Sequence, residues 1–458
     1  MDGVGMALAQ YMLGPYGNVR MPRRSEKHVP QGASMQATPV LSVGNTAWVI
    51  MATAMVMFMT VPALGLFYGG LVRKKNVLSI LMQCFITLAL VSVIWVAFGY
   101  SLAFSDGELI PGVLGDFKWA FFKGIGPDDL SPYFVSDPVG RVPHLAFAMF
   151  QCMFAVITPA LIVGAFAERM KFSSFLVFTC LWEVLIYSPL AHMVWASGGW
   201  LYKMGVLDFA GGIVVHINAG FAALAAALVI GRRNNLKALP PHNLPYTLIG
   251  AAMLWFGWFG FNAGSALAAD GIAVNALVTT NLAAAVAGIV WPLLDKLVNK
   301  RSTILGAATG AVVGLGAVTP ASGYIGVGGA FAIGAVASAC GFVMVTFVKE
   351  RFGYDDALDT FGCHGVGGLV GTLLAGVFAN PAIWKGHGQA YAGALYGNPH
   401  QFLVQLIASA LTMAVSFGGT FVLLKLVDFL VGLRVDAKDE AIGLDIALHH
   451  ERAYTVID

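Results

Sequence analysis

The chain has 458 residues, of which 58% are hydrophobic and 11% charged, against about 25% charged in a soluble globular domain. That composition excludes an ordinary soluble enzyme and describes a polytopic membrane protein. The net charge of +2 comes from basic residues scattered in short clusters, which offer no sustained patch for nucleic acid.

Residues 1–44 form an N-terminal extension, expected to be external and partly disordered. Residues 1–34 hold Arg20, Arg23, Arg24 and Lys27 but no 7–15-residue apolar core of a signal peptide. A disordered extension and an upstream start codon, with Met35 as initiator, explain this segment equally well. A membrane domain follows over 45–432, in which eleven apolar stretches approach the roughly 20 residues that a helix needs to cross the hydrocarbon core. They lie at 45–72, 76–104, 142–168, 172–194, 209–231, 245–267, 271–294, 302–319, 323–348, 360–378 and 401–432. The eighth and tenth are short and glycine-rich. Glycine is abundant throughout, with 55 residues, and small side chains let membrane helices approach closely. The five cysteines each fall in an apolar stretch and none is spaced as CxxC, which reads as small buried hydrophobes.

Loop charge sets the expected topology, because Lys and Arg near helix ends stay cytoplasmic. Basic residues follow the odd-numbered stretches, at Arg73-Lys74-Lys75, Arg169 with Lys171, Arg232-Arg233, Lys300-Arg301 and Lys349 with Arg351. The long loop 105–141 is acidic, with Asp106, Glu108, Asp116, Asp128, Asp129 and Asp137. The N-terminus is expected outside and the tail 433–458 inside, in a cell (plasma or inner) membrane.

Two histidines stand out. His216 in GGIVVHINAG and His364 in DTFGCHGVGG sit in apolar stretches with no charge beside them, and an ionisable ring within the bilayer is costly enough to need a reason. With this topology the fifth and tenth stretches enter from opposite sides, and each ring reaches roughly 10 Å into the membrane at 1.5 Å per residue. Stretches one to five and six to ten then form an inverted-topology repeat that places a site near the midplane, with the eleventh as a brace. Either ring taken alone is equally at home as a structural histidine bonded to a carbonyl; the pair points to a conduction site for a small protonatable solute. Two imidazoles without a nearby Cys, Asp or Glu make a poor metal site, and no metal or cofactor is expected. Glu183, near the middle of the fourth stretch, is a functional candidate by position or a protonated or hydrogen-bonded contact between helices. No nucleophile with a base partner, phosphate loop or HExxH motif points to an enzyme.

The segment DTFGCHGVGG (359–368) closely resembles a signature of the ammonium transporter superfamily (Amt/Mep/Rh), nearer its Amt/Mep branch. Similar matches run through LFYGGLVRKKNVLS (66–79), TPALIVGAFAERMKF (158–172), AHMVWASGGW (191–200), DFAGGIVVHINA (208–219), WFGFNAGS (258–265), TPASGYIGVGGA (319–330) and GLDIALHHERAY (443–454). The resemblance implies an eleven-helix homotrimer with one pore per subunit, conducting ammonium or ammonia. It implies recruitment of ammonium at Trp195, Phe150 and Ser265, where aromatic faces attract a cation and a hydroxyl accepts N–H. It makes Phe154 and Phe261 a gate, the twin histidines His216 and His364 the pore lining or proton relay, and Asp208, Asp359 and Trp258 supporting residues. Without the resemblance Trp195 is as readily an interfacial belt aromatic, and the phenylalanines are core packing in a chain with 31 of them. Asp208 and Asp359 are expected to cap their helices, Asp208 alternatively to help recruit the cation. The chain departs from the family at Ile213, where threonine is common, and at His449-His450, which replace His-Gly. The tail is implied to couple subunits and to offer a face to PII-type signal proteins, whereas composition alone describes a solvated tail. A membrane ammonium sensor is the alternative reading.

Overall fold

Apolar runs fold as helices in a membrane because only internal hydrogen bonding satisfies the backbone there. The computed structural model describes residues 38–234 and 240–454. Most of the expected N-terminal extension therefore lies outside the described residues, as do 455–458. Ten helices are long and apolar enough to cross a membrane: α1 (Val43–Leu71), α2 (Val77–Phe104), α3 (His144–Phe166), α4 (Phe172–Lys203), α5 (Gly212–Ile230), α6 (Leu244–Gly264), α7 (Gly271–Asn299), α9 (Val327–Phe352), α10 (Phe361–Phe378) and α11 (His400–Val431). The eighth expected stretch forms α8 (Ile304–Val318), which at 15 residues is shorter than a full crossing. Polar residues mark the starts. Ser42, Asn243, Asp270 and Thr303 each accept a hydrogen bond from a backbone N–H in the first turn of α1, α6, α7 and α8.

Helices α8 and α9 rest on α7 through glycine. A Cβ at Gly314 or Gly334 would come within 2.5 Å of the Ala283 carbonyl oxygen, so any side chain there pushes the helices apart. Several helices contain a π-helical turn, a feature that often accompanies function. Such turns occur in α4 (Glu183–Tyr187) and α9 (Met344–Val348), and at the starts of α5 (Gly212–Ile217) and α10 (Phe361–Val366). Further π turns lie in α1 (Met59–Leu64) and α2 (Trp95–Gly99).

At one end of the bundle the basic loops are tied together. The buried Glu168 carboxylate accepts from the Arg73 backbone N–H (2.8 Å) and Nε (3.0 Å), from Asn76 Nδ2 (2.8 Å) and from Arg233 Nη1 (3.0 Å). Arg233 also donates Nη2 to Asp355 (2.7 Å), and buried Arg169 donates to the carbonyls of Gly231 and Ala165. Burial alone would push the Glu168 carboxyl up, but the bonds from Arg73 and the charges of Arg73 and Arg233 outweigh it and hold it below the usual carboxylate range. A carboxylate lowered in this way contributes stability above its unfolded value of about 4.3 and loses it as pH falls through the folded value. The melting temperature of the purified protein is therefore expected to stay flat from neutral pH down to about 5 and to fall below about 4. In Glu168→Gln the neutral value drops, since breaking a buried pair costs about 3–5 kcal/mol, and the acid slope flattens. An unchanged acid slope would remove Glu168 from this account.

The tail is docked on the same end, unlike the solvated tail that composition describes. Glu440 accepts from the Asn234 backbone N–H (2.6 Å) and from Arg434 Nη2 (2.8 Å). Asp445 accepts from the Ser79 backbone N–H at the start of α2 (2.8 Å), and the Leu444 N–H donates to Asn76 Oδ1 (2.8 Å). The His449 ring packs edge-on against Phe172 at 5.2 Å, and His450 has a φ of 55°. That left-handed conformation is one glycine adopts without strain and a histidine adopts at a cost.

Candidate functional site: an aromatic vestibule above a histidine pair

The two histidine helices enter from opposite ends of the bundle. Helix α5 starts beside Pro320, whose ring a Cβ at Gly212 would meet, and α10 starts near α3, where the Leu358 N–H donates to the Gly164 carbonyl (3.1 Å). They meet where Gly220 lies against Gly365, an approach that leaves no room for a Cβ on Gly220. One turn earlier on α5, His216 lies against His364 with Nδ1 to Nδ1 at 3.2 Å, ring centroids at 5.3 Å and planes within 11°. Two facing Nδ1 atoms at hydrogen-bond distance require one donor and one acceptor, so the rings share one proton on the contact. Each ring thus finds its partner in the other rather than in a carbonyl. His216 Nε2 has no partner among the described residues. A cavity of about 10 Å³ adjoins both rings, walled by Ile157, Leu161, Leu254 and Val312. That is room for about one water-sized molecule.

Asp208 anchors the start of α5. Its carboxylate accepts from the N–H groups of Gly211 (2.9 Å), Gly212 (2.5 Å), Ile213 (3.0 Å) and Val214 (3.1 Å), the orphan donors of a helix start. The equivalent anchor of α10 is Asp356, whose Oδ2 accepts from the Phe361 N–H at 2.7 Å. This corrects the expectation for Asp359. Its carboxylate pairs instead with Lys349 Nζ (2.5 Å), and its φ of 59° turns the chain into the helix. Asp208 and Asp356 both precede their histidine by eight positions, a spacing in the sequence that could have picked Asp356.

Above the pair, Trp258 stacks on His216 at 5.5 Å and 18°, held by a bond from Nε1 to Thr319 Oγ1 (2.9 Å). Phe154, which borders the outer cavity, and Phe261, which borders the space beside the histidines, pack together with ring centroids 4.3 Å apart. Both are buried. Phe154 faces Trp195 edge-on at 5.9 Å and Phe150 at 5.0 Å. Trp195 donates Nε1 to the Asp208 carbonyl (3.0 Å), so one residue orients both the outer aromatic and the α5 start. Ser265 donates Oγ to the Phe261 carbonyl (2.8 Å), which leaves the hydroxyl oxygen free to accept. Phe150, Phe154, Trp195, Ser265 and Asp208 all border one open cavity of about 320 Å³. The sequence did not single out Tyr133, Tyr324 and Tyr391, which also wall that cavity; they lie in loops or beside Gly-rich turns where no periodicity marks them.

Glu183 is fully buried in the π turn of α4, and neither carboxylate oxygen has a partner among the described residues. Of the two forms of interhelix contact expected of it, the hydrogen-bonded one is not formed among the described residues, which leaves the protonated one.

A bundle of membrane-length helices that holds an open aromatic cavity, a pair of packed phenyl rings and, beyond them, a buried imidazole pair beside a small cavity describes a multi-pass membrane protein built to handle a small solute. The chain matches the model of the Ammonium Transporter Family over residues 47–454. It is 46% identical to the ammonium transporter of Bacillus subtilis over 90% of this chain and 99% of that one. To the ammonium transporter Amt1 of Archaeoglobus fulgidus it is 46% identical over 91% and 100%. The crystal structure of Saccharomyces cerevisiae Mep2 superposes with a TM-score of 0.80 at 34% identity, covering 87% of this chain and 89% of that one. A structure described as a sensor Amt protein superposes with a TM-score of 0.79 at 28% identity, covering 88% and 98%. The chain belongs to the ammonium transporter family, an integral membrane family of transporters rather than enzymes.

Proposed function

We propose that the protein moves ammonium nitrogen across a cell membrane by recruiting ammonium at the outer aromatic site, stripping its proton and passing ammonia along the histidine pair. The observation that carries this reading is the change of environment along one file. The cation meets the aromatic faces and the free hydroxyl oxygen of Trp195, Phe150 and Ser265 in the open cavity, and cation–π contacts of this kind contribute about 0.5–2 kcal/mol. Past the buried Phe154–Phe261 contact lies a water-sized space beside neutral imidazoles. An ion that cannot lose its charge has no hydration there. Ammonium can leave its proton behind, and potassium cannot.

The same reading makes α8 an eleventh, shortened crossing, since most of its residues are buried among other helices. It relates α1–α5 to α6–α10 as an inverted repeat with α11 outside it, and it sets the Trp195 end outside and the basic end, with the docked tail, in the cytoplasm. Residues 1–44 are then the external extension, 45–432 the membrane domain and 433–458 the cytoplasmic regulatory tail. Three subunits assemble with one pore each, and the tail face is where a PII-type protein would dock. The closed phenyl contact also suits a sensor that binds ammonium without conducting it, the second reading.

Uptake by proteoliposomes on an ammonium pulse, with potassium as control, separates the two. Net uptake is expected; binding at Trp195 without uptake would favour the sensor. His364→Asp is expected to admit potassium and to lower ammonium-over-potassium selectivity at least tenfold, since a carboxylate about 4 Å from a cation at an effective dielectric of 20 contributes about 4 kcal/mol. Unchanged selectivity would refute the role given to the pair.

A further inference from the structure

One face of α4 carries three buried polar groups that the histidine file does not use. Thr179, Glu183 and Tyr187 follow one another at intervals of four residues, all fully buried, and Thr179 Oγ1, both Glu183 oxygens and the Tyr187 phenol have no partner among the described residues. None of the three lines the outer cavity or the space beside the histidines. Glu183 lies at the start of the π turn, and the ionisable groups near it are Cys152, Cys180 and Tyr187. Trp95 and Trp182 flank Tyr187 with ring centroids at 6.3 Å. The Tyr187 phenol faces Thr158, one turn beyond Phe154 on the gate helix α3.

Burying one polar group without a hydrogen bond costs about 1–3 kcal/mol, and four such atoms along one helix face demand partners that are not side chains. Water is the partner that buried polar groups without side-chain partners usually take. Thr179 and Glu183 are about 6 Å apart along the axis at 1.5 Å per residue, and Glu183 and Tyr187 lie at the two ends of the π turn; bridging water spans gaps of this size. A carboxylate without a counter-ion here is costlier still, so Glu183 rests as the neutral acid. In that form it offers one donor and one acceptor, as do a phenol and a threonine hydroxyl.

We propose that Thr179, Glu183 and Tyr187, with bridging waters, form a proton-relay file in α4 beside the histidine pore. A proton arriving from the Tyr187 side binds the carbonyl oxygen of Glu183 while its hydroxyl proton leaves toward Thr179. Rotation of the carboxyl group restores the starting state. One proton enters and one leaves, no bond to carbon changes, and no charge is stored. The file gives the proton released by ammonium a route that need not pass through the imidazoles, and it rests on the reading of the pore as ammonia-conducting.

The test compares ammonium-evoked current with ammonia uptake in proteoliposomes holding the wild type, Glu183→Gln and Tyr187→Phe. Current is expected to fall about a hundredfold in Glu183→Gln, the lower range for losing a positioned proton-transfer group, while uptake and melting temperature hold; Tyr187→Phe should lose current in the same sense. Unchanged current in a folded variant overturns the proposal, and so does parallel loss of current and uptake, which would place Glu183 in service of the pore. If Glu183→Gln fails to fold, Tyr187→Phe decides by the same criterion. A wild type that takes up ammonia without current overturns the file and leaves the pore reading standing, whereas no uptake at all defeats the pore reading. Infrared spectroscopy reads hydration independently: the carboxylic acid C=O band missing from Glu183→Gln should shift when wild type meets deuterated water. A band that does not shift means a dry site and ends the proposal.

Discussion

Asp208→Ala is expected to destabilise the purified protein by about 4 kcal/mol or more, because four backbone donors lose a charged acceptor in a buried site, and to lower uptake about a hundredfold through displacement of His216. The four N–H groups belong to Gly211, Gly212, Ile213 and Val214, and no other acceptor is recorded for them among the described residues. They converge on the carboxylate because Gly211, with a φ of 115°, turns the chain so that the first amides of α5 point back at residue 208. The Asp208 carbonyl also holds the Trp195 indole, so the same collapse disturbs the outer aromatic site. Asp208→Asn keeps one accepting oxygen and turns the other side of the fork into a donor facing donors. It is expected to fall between Ala and wild type in both melting temperature and uptake. Direct recruitment of the cation by the carboxylate would instead leave the Asp208→Asn melting temperature near wild type while binding weakens. Both measurements on both variants therefore separate anchoring from electrostatic attraction.

Hydropathy and loop charge were enough to place the long helices, because a membrane demands unbroken apolar length and the sequence records length directly. The same criterion found the eighth stretch but not its length: α8 has 15 residues, most of them buried, and needs no full lipid-facing run. The histidines were legible as anomalies, two polar rings in apolar surroundings. Their contact was not, since it depends on Gly220 meeting Gly365 across 145 positions, and a composition rich in glycine does not say which glycines touch. Asp359 was named because it precedes the tenth stretch and matches an aspartate of the family pattern, and Asp356 carried no such mark. The geometry favours the residue whose side chain reaches the Phe361 amide, and the eight-residue spacing shared with Asp208 and His216 was the cue. The docked tail was invisible to composition because its charges, Glu440 and Asp445, bond the backbone amides of Asn234 and Ser79, far away in sequence. Glu183 was conspicuous from the first. That both its oxygens are unpaired required the positions of every neighbouring helix.

Gly220→Ala is expected to abolish transport while leaving the protein folded. A Cβ at Gly220 would collide with the Cα and N of Gly365, backbone atoms that cannot swing aside as a side chain can. Overpacking of this kind costs about 1–3 kcal/mol, too little to unfold a large bundle, so α5 and α10 separate instead. The histidines sit within a turn of that crossing, and their Nδ1 atoms are 3.2 Å apart; a shift of about 1 Å breaks the shared proton and can cost about a hundredfold in rate. Two glycines beside the same rings grade the effect. A Cβ at Gly365 would lie 2.8 Å from Phe361 Cδ2 and 3.2 Å from Gly220 Cα, so Gly365→Ala should lose part of its uptake as the Phe361 ring yields. A Cβ at Gly316 would lie 3.7 Å from His216 Nδ1 and 3.7 Å from His364 Nδ1, ordinary contact, and Gly316→Ala should transport nearly as wild type. Uptake in proteoliposomes ranked Gly316→Ala above Gly365→Ala above Gly220→Ala, at closely similar melting temperatures, is the expected result. Wild-type uptake by Gly220→Ala would mean that ammonia passes without the imidazole contact, and the pore would then owe its selectivity to the phenyl constriction alone.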